Sequence, residues 1–314
     1  MKTILVTGAN GSVGTEIICQ LYKNYDIIVV GHSFSNLMPY INNIKCIKAD
    51  IRDRDALTPI FKGVDYVIHL AAKVHVVPKN DKEAEEFFKV NTEATKNIFE
   101  LCIQNKVKKV FFFSTIAVYG GYKGLISENT EVNPITPYAR SKYQAEEIGQ
   151  RMVKENGLPL CIIRPATIFG NLDRGNYGSL ISLCKKGLSV VPGRGQNMKP
   201  IIYVKDVAKV VANLLEKDIK PGEVFILSQN NYSYIDIIGS IENVFNIKTL
   251  KIYVPLFIIK LLNLCLRLTL LRKLLTLSES IQVDNSKMLD MLGNVLDYDF
   301  VSGLEDSKEY YNRL

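Results

Sequence analysis

The chain has 314 residues, 47% of them hydrophobic and 23% charged, with 20 glycines, 11 prolines and no tryptophan. That composition excludes a disordered tail protein, a collagen-like chain and a small disulfide scaffold, and the length fits one large α/β unit or one domain with a smaller partner. The net charge of +7 is local: six cations and no acid fall between Ile247 and Ser278, so the remainder lacks the spread cations of a nucleic-acid-binding surface.

The elements alternate from the start. Thr3–Thr7 is a short apolar run ending in glycine, followed by a helical stretch at 12–23. Strands are predicted at 26–30, 44–49 and 64–69, with a helix at 54–61 between the last two. A long helical period covers 83–105, and 107–114 is a strand too apolar to face water on either side. A helix at 138–155 and a strand at 160–164 follow. Continuous apolar strands alternating with helices predict an α/β fold, a doubly wound parallel sheet covered on both faces. Beyond Pro165 the rhythm changes. One helix is predicted near 177–186, others at 204–216 and 234–245, a strand at 224–227, and the last hundred residues read as mostly helical. The division expected is a dinucleotide-binding domain at 1–165 and a smaller substrate lobe at 166–314, with some segments returning to the core.

Six cysteines lie far apart, and three histidines (His32, His69, His75) share no helix, so no metal site is expected. The cysteines read as reduced, buried thiols of a cytoplasmic protein. The apolar start breaks at Thr7–Gly11, too early for a secretory signal, and no stretch crosses a bilayer without carrying charge into it.

Thr7–Gly14 follows the first strand and opens the first helix. Gly8 permits the tight turn, Gly11 lets a pyrophosphate approach the backbone, and Gly14 lets helix and strand pack closely. The helix N-terminus adds free N–H groups and partial positive charge, so Asn10, Ser12 and Val13 join the candidate cofactor site. The end of the second strand, where NAD sites expect an acid, holds His32 and Ser33 instead; NAD and NADP both stay open. Asp50 is a candidate adenine contact, with a turn or helix cap as the alternative.

Tyr138 and Lys142 are four apart and share one helical face. An ammonium beside a phenol pulls its pKa down from about 10, making a proton-transfer residue for a sugar hydroxyl. These motifs together resemble the extended short-chain dehydrogenase/reductases, in the NAD-dependent epimerase/dehydratase family acting on nucleotide sugars. The resemblance rests on Thr7–Gly14, Asp50–Asp53, His69–Ala72, Asn91, Ser114–Gly120, Tyr138–Lys142 and Arg164–Pro165. It implies Tyr138 as acid/base, Lys142 on the nicotinamide ribose, and Thr115, with Ser114 behind it, as the hydroxyl holding the reacting oxygen. It also implies that Ile51, Leu70, Ala71, Ala72, Asn91 and Pro165 line or support the cofactor. His75, Thr115, Asn176 and Lys199 would face a nucleoside-diphosphate sugar, and two copies would pair.

One departure narrows the reaction. The family's sugar dehydratases carry Asp-Glu directly after the catalytic threonine, whereas Thr115 here is followed by Ile116-Ala117. Redox at C4 remains, as an epimerase of a UDP-sugar in polysaccharide synthesis or as an NADPH-dependent 4-keto reductase. A steroid-type dehydrogenase and a non-catalytic dinucleotide-binding protein are the outlying alternatives. The basic, leucine-rich stretch at 255–277 reads as a helix packed in the lobe, a dimer contact, or an interfacial segment at the inner membrane face.

Overall fold

The computed structural model describes residues 1–74, 78–173, 175–258 and 277–314. Seven parallel strands form the central sheet: β1 (Thr3–Thr7), β2 (Asp26–Gly31), β3 (Ile44–Lys48), β4 (Tyr66–His69), β5 (Lys109–Phe113), β7 (Leu160–Pro165) and β11 (Glu223–Leu227). Their order is β11-β7-β5-β4-β1-β2-β3. Thr7 pairs in register with both Val30 and His69. The carboxyl end of β1 is therefore the switch point where the two halves of the sheet wind in opposite directions, the place where such sheets bind ligands.

The continuous apolar runs follow from burial on both faces. Phe111 and Phe113 enter one core cluster with Ile4, Val6 and Ile68, while Phe112 enters the other with Leu5 and Val67. Helix α1 (Ser12–Leu21) buries Gly14, Ile17, Ile18 and Leu21, and α5 (Pro137–Asn156) buries Ala139, Ser141, Lys142, Ala145 and Glu146. Cys19 lies on the outward side of α1 and is exposed, and Cys46 is half-buried, so the buried-thiol reading holds for Cys102, Cys161 and Cys184 and fails for these two. Cys265 lies outside the described residues.

The helix predicted over 83–105 is interrupted. It runs as Asp81–Phe88 (α3), a π turn at Lys89–Glu93, and Ala94–Gln104 (α4). Such turns insert one residue into the helical ladder and re-aim the side chains there, here around Asn91. After β7 come β8 (Thr167–Phe169), α6 (Asn176–Lys185), β9 (Leu188–Pro192), β10 (Met198–Tyr203), α7 (Val204–Glu216), β12 (Asn230–Ser233), α8 (Tyr234–Phe245), β13 (Leu250–Val254) and β14 (Gln282–Val283). β8, β10 and β12 form a three-stranded sheet, β9 pairs with β13, and β14 pairs with β6 (Leu125–Ile126). The mostly helical reading of the last hundred residues thus misses β12, β13 and β14. These strands are two to five residues long, and their pairing is long-range, so no periodicity announces them.

Candidate active site

The glycine turn sits at the switch point. Gly8 has φ +74°, and a Cβ there would lie 2.6 Å from the Ala71 amide nitrogen. A Cβ on Gly14 would lie 2.4 Å from Ala9 Cα, whereas one on Gly11 would meet nothing closer than Gly8 O at 3.4 Å. Walls of backbone therefore close on Gly8 and Gly14, and the approach over Gly11 stays open. Gly11 caps α1 without a side-chain hydrogen bond, so the helix offers N–H groups and positive dipole to an anion. These features fit a dinucleotide pyrophosphate. Asn10 is locked in place: its Oδ1 accepts from Asn36 N at 2.8 Å and its carbonyl accepts from Asn36 Nδ2 at 2.7 Å. The Ser12 hydroxyl donates to the Asn171 carbonyl, tying the turn to the segment after β8. Val13 packs between two core clusters.

His32 and Ser33 are exposed where β2 ends. Asp50, just past β3, accepts from Arg52 N at 2.9 Å and pairs with the Arg52 guanidinium at 2.6 Å. Asp50 thus closes a turn with Arg52, whose guanidinium holds its carboxyl below the usual range. Arg52 brings a cation to this edge of the site that reading β2 alone did not reveal. Ile51 turns into the core.

At the end of β5, Ser114 is buried, and among the described residues its Oγ finds no hydrogen-bond partner. Burial of a hydroxyl without a partner carries a cost of about 1–3 kcal/mol. Thr115 caps the following turn, accepting from Ala117 N at 3.1 Å. It is also the hydrogen-bond partner that opposes the effect of burial on Tyr138. Tyr138 packs edge-on against Phe87 at 6.3 Å between ring centroids. It keeps some surface open yet is so densely surrounded that burial pushes its phenol up to about 12.

This corrects the expected lowering by Lys142. Burial of the phenol itself sets the direction, and Lys142 is buried too, 1% exposed, with Nζ 4.1 Å from the centre of the Phe112 ring. Burial draws Lys142 down to about 7, with Glu146 opposing. Glu146 is gripped by Arg164 through two bonds of 3.0 and 2.5 Å, and Arg164 also donates to Tyr119 Oη at 2.6 Å. This buried knot fixes α5 to β7; Tyr119 falls within the Ser114–Gly120 motif, whereas Glu146 belongs to none of the motifs. The signal available was Glu146, one turn after Lys142 on the same face.

Asn91 is fully buried. Its Oδ1 accepts from Lys73 N at 2.7 Å, and its Nδ2 donates to Lys73 O at 3.1 Å and Ser141 Oγ at 3.0 Å. It clamps the segment after β4 to the helix bearing Tyr138 and Lys142. Leu70, Ala71 and Ala72 lie in that clamped segment, against Gly8. Pro165 closes β7, buried.

On the lobe side, Lys199 stands on β10 opposite Tyr232, not in a solvated loop. Its Nζ donates to the Glu279 carbonyl at 2.9 Å, and burial lowers it to about 8. Asn176 opens α6. His75 lies outside the described residues, as does most of 255–277.

The profile of the NAD dependent epimerase/dehydratase family matches residues 4–228, and the chain belongs to that family. It is 29% identical over 263 residues to the N-acetyl-alpha-D-glucosaminyl-diphospho-ditrans,octacis-undecaprenol 4-epimerase of Escherichia coli O157:H7, covering 80% of this chain and 75% of that one. It is 34% identical over 224 residues to a putative UDP-glucose 4-epimerase of Methanocaldococcus jannaschii, covering 68% and 72%. Among solved structures it resembles UDP-N-acetylglucosamine 4-epimerase from Methanobrevibacter ruminantium M1, with TM-score 0.82 and 26% identity over 99% of this chain and 98% of that one. The fold is also that of a UDP-glucuronic acid 4-epimerase from Bacillus cereus in complex with NAD, with TM-score 0.84, 24% identity and 99% of each chain covered. The protein is an enzyme of the extended short-chain dehydrogenase/reductase type, with NAD or NADP as its cofactor class.

Proposed function

We propose that this family member is a C4 epimerase of a nucleoside-diphosphate hexose, in first place a UDP-sugar, that retains its NAD. The observation carrying this reading is the convergence of Tyr138, Thr115 and buried Lys142 at the carboxyl end of β5, with Ile116 and Ala117 where a dehydratase would carry its acids. NAD, when bound, supplies hydride acceptance and return at the sugar carbon. Tyr138 holds the proton of the C4 hydroxyl while that carbon is oxidised and gives it back on reduction. Thr115 and Ser114 hydrogen-bond the same oxygen. Lys142 would donate to the cofactor's ribose hydroxyls, and its ammonium would favour the phenolate. Gly8, Gly11 and Gly14 seat the pyrophosphate, and Asn176, Lys199 and His75 take the sugar nucleotide. Tyr138→Phe tests the assignment: NAD binding stays intact while epimerisation, followed by NMR of the C4 configuration, falls about a thousandfold or more. Unchanged turnover would remove Tyr138 from the mechanism.

A second reading, an NADPH-dependent 4-keto reductase, draws support from the acid-free end of β2 and from Arg52, 51% exposed beside it, which together suit a 2′-phosphate. We keep the division at 1–165 and 166–314 as a working proposal; β11 joins the central sheet from the second part.

Peripheral contact with the inner membrane face has its own support. Leu250, Ile252, Tyr253, Leu256 and Phe257 are all exposed, and the sequence from there to Ser278 carries cations and no acid. No helix among the described residues is long and apolar enough to cross a membrane. Failure of the full chain to co-sediment with anionic vesicles at low salt would end that reading. Pairing of two copies through helices beside the sheet is tested by sedimentation equilibrium.

A further inference from the structure

His69 closes β4, fully buried, in register with Thr7 and stacked on Phe112 at 5.8 Å between ring centroids. It is one of three histidines in the chain. Its ring is bonded at both nitrogens: Nδ1 lies 2.7 Å from Thr7 Oγ1, and Nε2 lies 2.8 Å from Thr95 Oγ1. Each threonine has a further partner. Thr7 Oγ1 accepts from Ala71 N at 3.3 Å. Thr95 Oγ1 donates to the Asn91 carbonyl at 2.8 Å.

Counting hydrogens fixes the tautomer. A hydroxyl has one hydrogen, and that of Thr95 is used on Asn91, so toward His69 it accepts, and Nε2 carries the proton. Nδ1 then holds a lone pair and receives the Thr7 hydroxyl hydrogen. Every bond points one way, from the Ala71 amide through Thr7, His69 and Thr95 to the Asn91 carbonyl. A second ring proton would break the series, because Thr7 would face two donors and its own hydrogen would lose its acceptor. Burial and the nearby Lys142 ammonium act in the same direction, holding the imidazole down to about 3.

The two ends of the series are the two parts the chemistry needs in register. At one end is the segment Leu70–Lys73, against the glycine turn. At the other is the π turn, where Asn91 holds Lys73 and Ser141, and Thr92 Oγ1 donates to the Ser141 carbonyl at 2.8 Å. Ser141 in turn donates to the Tyr138 carbonyl at 2.8 Å. The chain is thus a loop of hydrogen bonds, closed at Lys73, with Phe112 shared between His69 and Lys142.

We propose that His69 is a positioning residue for the reaction: a permanently neutral, Nε2-protonated imidazole that holds the cofactor-facing segment and the Tyr138–Lys142 helix in one fixed relation. It touches neither reactant and acts through Thr7 and Thr95. The inference rests on the roles given above to Tyr138 and Lys142, but its tautomer does not.

The test has two parts. Nitrogen-15 NMR of the histidine-labelled free protein, with His69→Gln to assign the signal, reads the ring directly. A single Nε2–H tautomer, unchanged between about pH 8 and 5, is expected. An Nδ1–H tautomer, or titration in that window, overturns the proposal, whatever the enzyme is found to catalyse. The second part removes one hydroxyl at each end in the folded protein. Thr95→Val lowers kcat about tenfold or more with KM for the sugar nucleotide unchanged, and Thr95→Ser restores it. Thr7→Val does the same, and the double variant is no worse than the poorer single one, because a single series is broken only once. Additive losses, or loss of thermal stability with kcat intact, would reduce His69 to a packing residue.

Discussion

On the sheet side of the site, Asn91, Ser141, Glu146 and Arg164 are all buried, and each is bonded within the chain. On the lobe side, Lys199 is half-buried on a three-stranded sheet. In the same part of the chain β13 pairs with β9 as a two-stranded ribbon, with Leu250 67% and Tyr253 53% exposed. The first wall is over-determined: moving any one group orphans another in a dry environment, where an unpaired polar group costs about 1–3 kcal/mol. The second wall is held by short pairings with open edges and tolerates change. Hydride and proton transfer need the first kind of surface; on the function proposed above, the choice of sugar would fall to the second.

This contrast is broken most severely by Lys142→Met. Turnover falls about a hundredfold or more, because the phenolate loses its cation. Stability moves the other way. Lys142 is held down to about 7 in the folded chain against 10.5 ordinarily. Between those values the unfolded chain binds a proton that the folded chain does not, so the native protein gains stability as pH rises through that window. Below about 7 the full penalty of the buried cation applies. Thermal midpoints across that range would show the methionine variant the more stable near neutrality, with the gap closing toward pH 10.5; parallel curves would contradict the burial argument.

Gly14→Ala strikes the cofactor side by packing alone. Its Cβ would sit 2.4 Å from Ala9 Cα, and overpacking of this kind costs roughly 1–3 kcal/mol. Chemical denaturation with and without NAD should show reduced stability and weakened binding together.

The glycine turn, the parallel sheet and the Tyr138–Lys142 pair were legible because each obeys a local rule: a strand-turn-helix signature, continuous apolar runs, or an i to i+4 spacing. What was not legible depends on distance. Arg52 reaches the cofactor edge only because β3 lies beside β2. The clamp of Asn91 on Lys73 and Ser141 joins residues 18 and 50 apart, and the π turn beneath it replaces an expected unbroken helix. Tyr138 illustrates a different failure. Spacing correctly set lysine and tyrosine on one helix, but proximity in sequence said nothing about burial, which reverses the expected direction of the phenol's pKa.

Effects on the lobe side should be smaller and should fall on binding. Lys199→Ala is expected to raise KM for the nucleotide sugar about tenfold, the usual range for one charged hydrogen bond, with kcat within about twofold. Lys199→Arg should retain most of the affinity. A large loss in kcat would place Lys199 on the chemical side of the division. The smallest effect is expected from Leu250→Ser with Phe257→Ser. Vesicle binding should drop a few-fold while turnover of a soluble UDP-sugar is unchanged, since each exposed apolar side chain adds only its own area to a membrane contact.

The central claim, a C4 epimerase that recycles a cofactor it never releases, meets its most direct test in the dinucleotide that the protein carries. Purified enzyme is denatured and the supernatant analysed by mass spectrometry. Near-stoichiometric NAD is the predicted result, because a recycled cofactor stays bound. An empty site that takes up NADPH would contradict it and would make the protein the 4-keto reductase.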